Sequence, residues 1–255
     1  VKVGKPKNMK KIIILLTVLL VNQSNAQQKF ITAGKIEYEM KKNQHKQLED
    51  EENNESEWIK ELKKNMPKFI IETYSLRFNE TKSVYKLEKE NADNKYLWGG
   101  KPSETDITIQ DIKLNRVSLQ RDVYEKTYLV QDSIRQLDWR ITDETRDIAG
   151  FECRKAVSKI CDSVYIVAFY TDQIPVSAGP ESFGGLPGMI LGLAVPRLAM
   201  TWFATKLELT EPTLQELSPA QKGKKSDWKG METDMKKALK DWGKYGDRQM
   251  WRLLL

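Results

Sequence analysis

Few side chains in this chain have chemistry to offer. Cys153, Cys161 and His45 are its only thiols and its only imidazole in 255 residues. A Ser-His-Asp or Cys-His nucleophilic site would have to use His45, which sits in a charged segment, and no GxSxG turn or family-specific thiol signature accompanies it. A metal centre needs three or four suitable ligands gathered together, and one His with two thiols far along the chain does not supply them. Walker, GxGxxG, HExxH and CxxC patterns are missing from the sequence. Acids are abundant, but abundance does not say which two would face a cleft. These residues point away from an enzyme and imply no metal or cofactor.

The fate of the two thiols depends on one turn. If the chain folds back near Ala156 and Val157, Cys153 and Cys161 face each other within bonding distance; if it turns near Ile160, they lie too far apart. An even pair in an oxidising compartment invites the bond. The polar run at 158–163 favours the later turn.

The elements that position these thiols lie in the most distinctive part of the chain. Residues 163–171 read SVYIVAFYT, β-branched and aromatic, and predict a strand covered on both faces and central in its sheet. Pro175, Gly179, Pro180, Gly184, Gly185, Pro187 and Gly188 then place seven breakers in fourteen positions, too dense for helix or strand. Residues 188–195 resume an apolar strand, so the breaker-rich loop joins two buried elements. The loop residues Pro180, Phe183, Gly184, Gly185, Leu186, Pro187 and Gly188 are the candidate binding segment. They either present an apolar contact or plug one end of the sheet.

Gly184-Gly185-Leu186-Pro187-Gly188-Met189-Ile190-Leu191 resembles the signature of the GLPGLI family of exported bacteroidete proteins. Ile174-Pro175-Val176-Ser177-Ala178-Gly179-Pro180 and Ile148-Ala149-Gly150-Phe151-Glu152-Cys153-Arg154-Lys155-Ala156 extend the likeness upstream, and it spans about residues 34–209. The resemblance implies export and a shared β-rich fold, and no established activity. Two positions depart from the pattern: Met189 replaces Leu, and Gly192 stands where an acidic residue is expected.

At the start, Lys10 and Lys11 precede ten residues, 12–21, with only Thr17 polar, and then Asn22-Gln23-Ser24-Asn25-Ala26. That is the pattern of a secretory signal peptide, here behind a short N-terminal extension, with cleavage expected after Ala26. A membrane anchor needs ~20 apolar residues. Gln27 follows the cut where a lipoprotein would carry Cys, so the mature chain is expected in the periplasm without a transmembrane span. Residues 1–26 hold five lysines and no acid, so their removal lowers the formal charge from +6 to +1. A nearly neutral domain gives no compositional argument for a nucleic-acid partner.

Residues 27–210 read as one β domain. Ile36, Tyr38 and Met40 alternate with charged residues in a half-buried first strand. Residues 41–66 are polar, with the acidic run from 49 to 57 read as a solvated loop that leads into a short surface helix. Residues 69–76 and 77–87 pair around a turn at Asn79, and 91–115 read as an excursion from the sheet. Short strands resume at 117–120, 125–131 and 139–142, and 197–209 pairs back onto the strand before Pro196. Residues 211–255 form a basic linker and a C-terminal helix with Met231, Met235, Leu239 and Trp242 at helical intervals. Such an apolar stripe usually lies on its own sheet. The fold class is mainly β (α+β): a curved antiparallel meander sheet resembling a half-barrel, with peripheral helices. Two functions fit it: a binding or carrier module for an apolar ligand or peptide on the concave face, or an accessory envelope protein docking on an outer-membrane partner through the Gly-Pro loop.

Overall fold

A computed structural model describes residues 30–49, 56–96, 101–124, 126–161 and 163–255. The leader expected over 1–26, its cut after Ala26 and residues 50–55 of the acidic run lie outside the described residues. From Ile31 to Leu255 the chain forms one compact unit.

The strands are β1 (Gly34–Asn43), β2 (Phe69–Phe78), β3 (Lys82–Lys89), β4 (Ile107–Asp111), β5 (Arg116–Val123) and β6 (Lys126–Ser133). They continue as β7 (Arg140–Ile148), β8 (Phe151–Ile160), β9 (Val164–Thr171), β10 (Met189–Val195), β11 (Met200–Glu208) and β12 (Lys224–Ser226). Together they make one open sheet in the order β12-β6-β5-β4-β3-β2-β1-β11-β10-β9-β8-β7. Two runs of neighbouring hairpins, β1 to β6 and β7 to β11, meet where β11 pairs with β1. That junction opposes Met40 with Trp202 and Lys42 with Met200, and on its other side β1 opposes Tyr38 with Tyr74 and Lys42 with Ile70.

Local chemistry accounts for the turns. Between β2 and β3 the Asn79 side-chain oxygen accepts from the backbone N–H groups of Thr81 and Lys82 at 3.0 and 2.8 Å, the self-capping habit that suits Asn to turns. Both sheet edges are guarded against pairing with another chain. β7 is charged and exposed along nearly its whole length, and β12 is only three residues long and carries Lys224 and Lys225.

Helices α1 (Gln44–Glu49) and α2 (Glu57–Asn65) fill the connection between β1 and β2. Ser56 caps α2 by accepting from the N–H of Ile59, and Ile59 is the residue this helix buries. Helices α3 (Trp228–Ala238) and α4 (Gly243–Leu253) follow β12. Met231, Met235 and Leu239 pack with Leu119, Val123, Tyr128 and Val130 in a core of their own, which Met250 and Leu254 complete. The main core gathers Ile36, Tyr38, Leu76, Ile166, Ile190, Leu193 and Trp202 on the inner face of the sheet. Among the described residues no helix is long and apolar enough to cross a membrane.

Several expectations need correction. The sheet is mixed, because β12 runs parallel to β6; the lysine-rich residues read as linker supply that strand. The excursion at 91–115 contains β4, whose five residues are too few to show alternation against polar surroundings. β9 is covered on one face only: Val164, Ile166 and Ala168 are buried, while Tyr165 is 62% exposed and Val167 and Phe169 are half-covered. The expected C-terminal helix is two, broken before Gly243, whose φ is +53°. The β8–β9 hairpin takes the later turn, with Ile160 opposite Val164 and Arg154 opposite Tyr170. Cys153 and Cys161 therefore sit at opposite ends of β8, the first buried and the second exposed, and no disulfide joins them.

Candidate functional site

The breaker-rich loop between β9 and β10 is folded inward. Pro180, Phe183, Gly184, Leu186 and Gly188 are buried, and of the nominated residues only Gly185 and Pro187 are exposed. The loop is held by bonds to distant parts of the chain. The Trp139 indole N–H donates to the Gly184 carbonyl at 2.9 Å, and the Gln110 amide on β4 donates to the Ser182 carbonyl at 2.8 Å. The Ser182 hydroxyl donates to the Leu255 carbonyl at 2.6 Å. Gly188 makes the return to β10 possible: at φ +154° its α-carbon lies so near β9 that a β-carbon would stand 2.1 Å from the Thr171 carbonyl oxygen. No other residue fits there without moving the strand.

Beside this loop, over β1 to β5, the inner face holds a cavity of about 330 Å³, at the lower end of the range for small-molecule sites. Its floor is aromatic. Tyr74 on β2 and Tyr85 on β3 stack with ring centres 5.1 Å apart and planes 3° from parallel, and Tyr38 meets Tyr85 edge-on at 6.4 Å. Met40, Ile70 and Met200 extend the apolar surface, and Leu253 and Leu255 of the C-terminal segment close the far side. Burial pushes the phenols of Tyr74 and Tyr85 far above the usual range, so both rings are neutral. The Tyr85 hydroxyl and the Trp202 indole N–H are both buried and complete no hydrogen bond of ordinary geometry among the described residues.

One wall is charged. Arg121 on β5 donates from Nη2 to Glu181 Oε2 at 2.7 Å and from Nη1 to the carbonyls of Arg252 and Leu253, each at 3.4 Å. Its Nε lies 3.9 Å from Asp106 Oδ2 and completes no hydrogen bond among the described residues. Glu181 reaches Arg121 from a left-handed backbone, φ +58°. Burial lifts the Asp106 carboxyl to about 6 although the Arg121 charge pulls it down. Burial alone would lower Arg121, but Glu181 and Asp106 more than offset it and hold the guanidinium charged. Glu72, buried under the rim, accepts from the Asn91 N–H at 3.0 Å and the Asn94 amide at 2.6 Å and also bonds the Tyr96 hydroxyl. These contacts fasten the segment after β3 to the sheet.

Lys42 lines the same cavity at 6% exposure. Sequence reading passed over both Lys42 and Arg121, yet each continues an alternation: Ile36, Tyr38, Met40, Lys42 on β1, and Val117, Leu119, Arg121, Val123 on β5. Because a strand has period two, each series aims its cation inward. Other candidates are not gathered here. His45 bonds the Met66 carbonyl at 2.9 Å on the periphery, and the two thiols lie on β8 and its turn. Among the described residues no group of His, Cys, Asp or Glu is arranged to hold a metal ion. The cavity combines a flat aromatic floor, an ion-paired wall at Arg121 and Glu181, and the amine of Lys42.

A family model described as "Protein of unknown function (Porph_ging)" matches residues 157–192, from the end of β8 through the loop to β10. No curated protein matches the chain. Among solved structures, PNGF-II in a P21 crystal form is 18% identical with a TM-score of 0.51 over 76% of this chain. The same protein in a C2 form gives 0.47 over 77%, again at 18% identity. An uncharacterized conserved protein from Thermus thermophilus gives 0.37 at 6% identity, over 83% of this chain and 99% of its own. This chain spans about a third of PNGF-II, 32% in the first form and 31% in the second, and at such identity the likeness concerns the fold alone.

Proposed function

We propose that this chain is an exported binding module that holds a small apolar ligand, or the apolar end of a peptide, on the inner face of its open sheet. The observation that carries the reading is the cavity of about 330 Å³ floored by the Tyr74–Tyr85 stack. Such a floor offers a flat apolar contact without a large conformational cost, because both rings are fixed by packing within the sheet. The basic head, short apolar run and small residues before Gln27, together with the GLPGLI likeness of residues 184–191, support export and a periplasmic site of action. Docking on an outer-membrane partner through the Gly-Pro loop has less support, since Phe183 and Leu186, the apolar groups such a contact would use, are each 2% exposed.

The test is isolation of the protein from osmotically released periplasm, followed by native mass spectrometry and organic extraction. A stoichiometric small-molecule adduct, recovered in the extract and lost on unfolding, is expected. Retention of the protein in the cytoplasmic fraction would refute export. Bare protein co-purifying with a stoichiometric envelope partner would favour docking instead.

A further inference from the structure

The cavity contains an amine that the protein leaves without a partner. Lys42 is 94% buried, at 6% exposure, on the inner face of β1 between Ile70 of β2 and Met200 of β11. Among the described residues no carboxylate pairs with its amine and no oxygen accepts a hydrogen bond from it; the charged group that acts on it is a second cation, Arg252 of α4. The contrast with Arg121 in the same cavity is informative, because that cation is answered by Glu181 at 2.7 Å and by Asp106 at 3.9 Å. Lysine is rarely buried without a partner, and an unpaired amine on a side chain so largely covered carries a desolvation penalty that a neutral side chain of the same length would avoid. Desolvation, and then the charge of Arg252, hold the Lys42 amine well below the usual lysine range. Met40, Ile70 and Met200 surround it with apolar surface.

We propose that Lys42 is the anion-binding end of the cavity, and that the ligand is a small carboxylic acid with an apolar body. A carboxylate against Lys42 supplies the missing partner, and in this low-dielectric setting the pairing strengthens as water is excluded. The apolar body lies along Met40, Met200 and the stacked tyrosines. A single negative charge suits the one Lys42 ammonium, because Arg121 in the same cavity is already answered by Glu181 and Asp106.

This inference rests on the binding reading above and deepens it, so its test separates the two. The full chain is titrated with dodecanoate and with dodecan-1-ol, which share the apolar body and differ in the head group, followed by displacement of a fluorescent apolar probe. Dodecanoate is expected to bind about ten-fold more tightly than the alcohol, a difference of ~1.4 kcal/mol. Lys42→Met is expected to remove that preference while leaving alcohol binding within about two-fold and the urea midpoint no lower than that of the unaltered protein. Lys42→Arg, which keeps the charge, is expected to retain part of the preference. Equal affinity for acid and alcohol, or a preference that survives Lys42→Met, overturns the anion site and leaves the apolar cavity standing. Failure of both probes to bind overturns the binding reading and this inference with it.

Discussion

Arg121 Nη2 and Glu181 Oε2 stand 2.7 Å apart across 60 positions of sequence, and this pair ties β5 to the loop that leads into β10. The carboxylate belongs to the breaker-rich loop and the guanidinium to the distant half of the sheet, so the loop is both a plug and part of the cavity wall. The same guanidinium contacts the carbonyls of Arg252 and Leu253, which brings the end of α4 to the cavity. One buried cation thus locates three segments that are far apart in the chain.

Glu181→Gln is expected to cost about 3 kcal/mol at pH 7, because it leaves Arg121 buried with only the distant Asp106 to oppose it. The side chains of the pair are 10% and 13% exposed, so little solvent screening softens the loss. Replacing both at once, Arg121→Met with Glu181→Leu, should cost less than Glu181→Gln alone. Urea midpoints of the three proteins decide it; a single variant no weaker than the double one would show that the pair does not anchor the loop.

Asp106 gives the cavity a pH dependence of unusual sign. Its folded-state pKa of about 6 lies above the ordinary aspartate value of 3.8, so folding favours the protonated carboxyl. The resulting stabilisation is fully present below about pH 4 and disappears as pH rises through about 6. Relative to Asp106→Asn, which stays neutral, the unaltered protein should lose about 1–3 kcal/mol between pH 4 and pH 7. Denaturation of both proteins at the two pH values measures this, and an identical difference at both would contradict it.

Gly188 and Gly150 both have positive φ, +154° and +85°, but only Gly188 is hemmed in. A β-carbon at Gly150 meets nothing within 4 Å, whereas at Gly188 it meets the Thr171 carbonyl. Gly150→Ala should cost ~1 kcal/mol of backbone strain, and Gly188→Ala should prevent β9 and β10 from pairing in their present register. Leu186→Ala, which empties a site 2% exposed, should cost ~2–5 kcal/mol. Circular dichroism melts of the three variants check the order; equal melting temperatures for the two glycine variants would contradict the close approach.

The thiols should react in sequence. Burial pushes the Cys153 thiol up to about 12, and its side chain is inaccessible, while Cys161 is exposed. Native protein without reductant should take up one iodoacetamide, at Cys161, and a second only after unfolding. Uptake of none before reduction would mean that the two are bonded.

How much of this was legible beforehand follows from what alternation can and cannot report. Ile36, Tyr38 and Met40 announced β1, and the density of Gly and Pro announced the loop, because these are local signals. β4 and β12 were hidden by shortness and polar composition. The outer face of β9 looked buried because its residues are apolar, yet the helices that could have covered it pack elsewhere, against β5 and β6. Lys42 and Arg121 were overlooked since a charge is ordinarily assigned to the solvent face. In both cases the strand period was the better guide than the residue type. The cavity itself depends on β11 lying beside β1, a pairing between distant segments that no local pattern records.

Methyl NMR on protein labelled at methionine tests the central claim most directly. Met40 and Met200 line the cavity, while Met231 and Met235 belong to the separate core beneath α3. On titration with dodecanoate, and separately with dodecan-1-ol, the account predicts saturable shifts of the Met40 and Met200 methyl signals, with those of Met231 and Met235 unmoved. Saturable shifts at Met231 and Met235 alone, or none at any methionine, would contradict it.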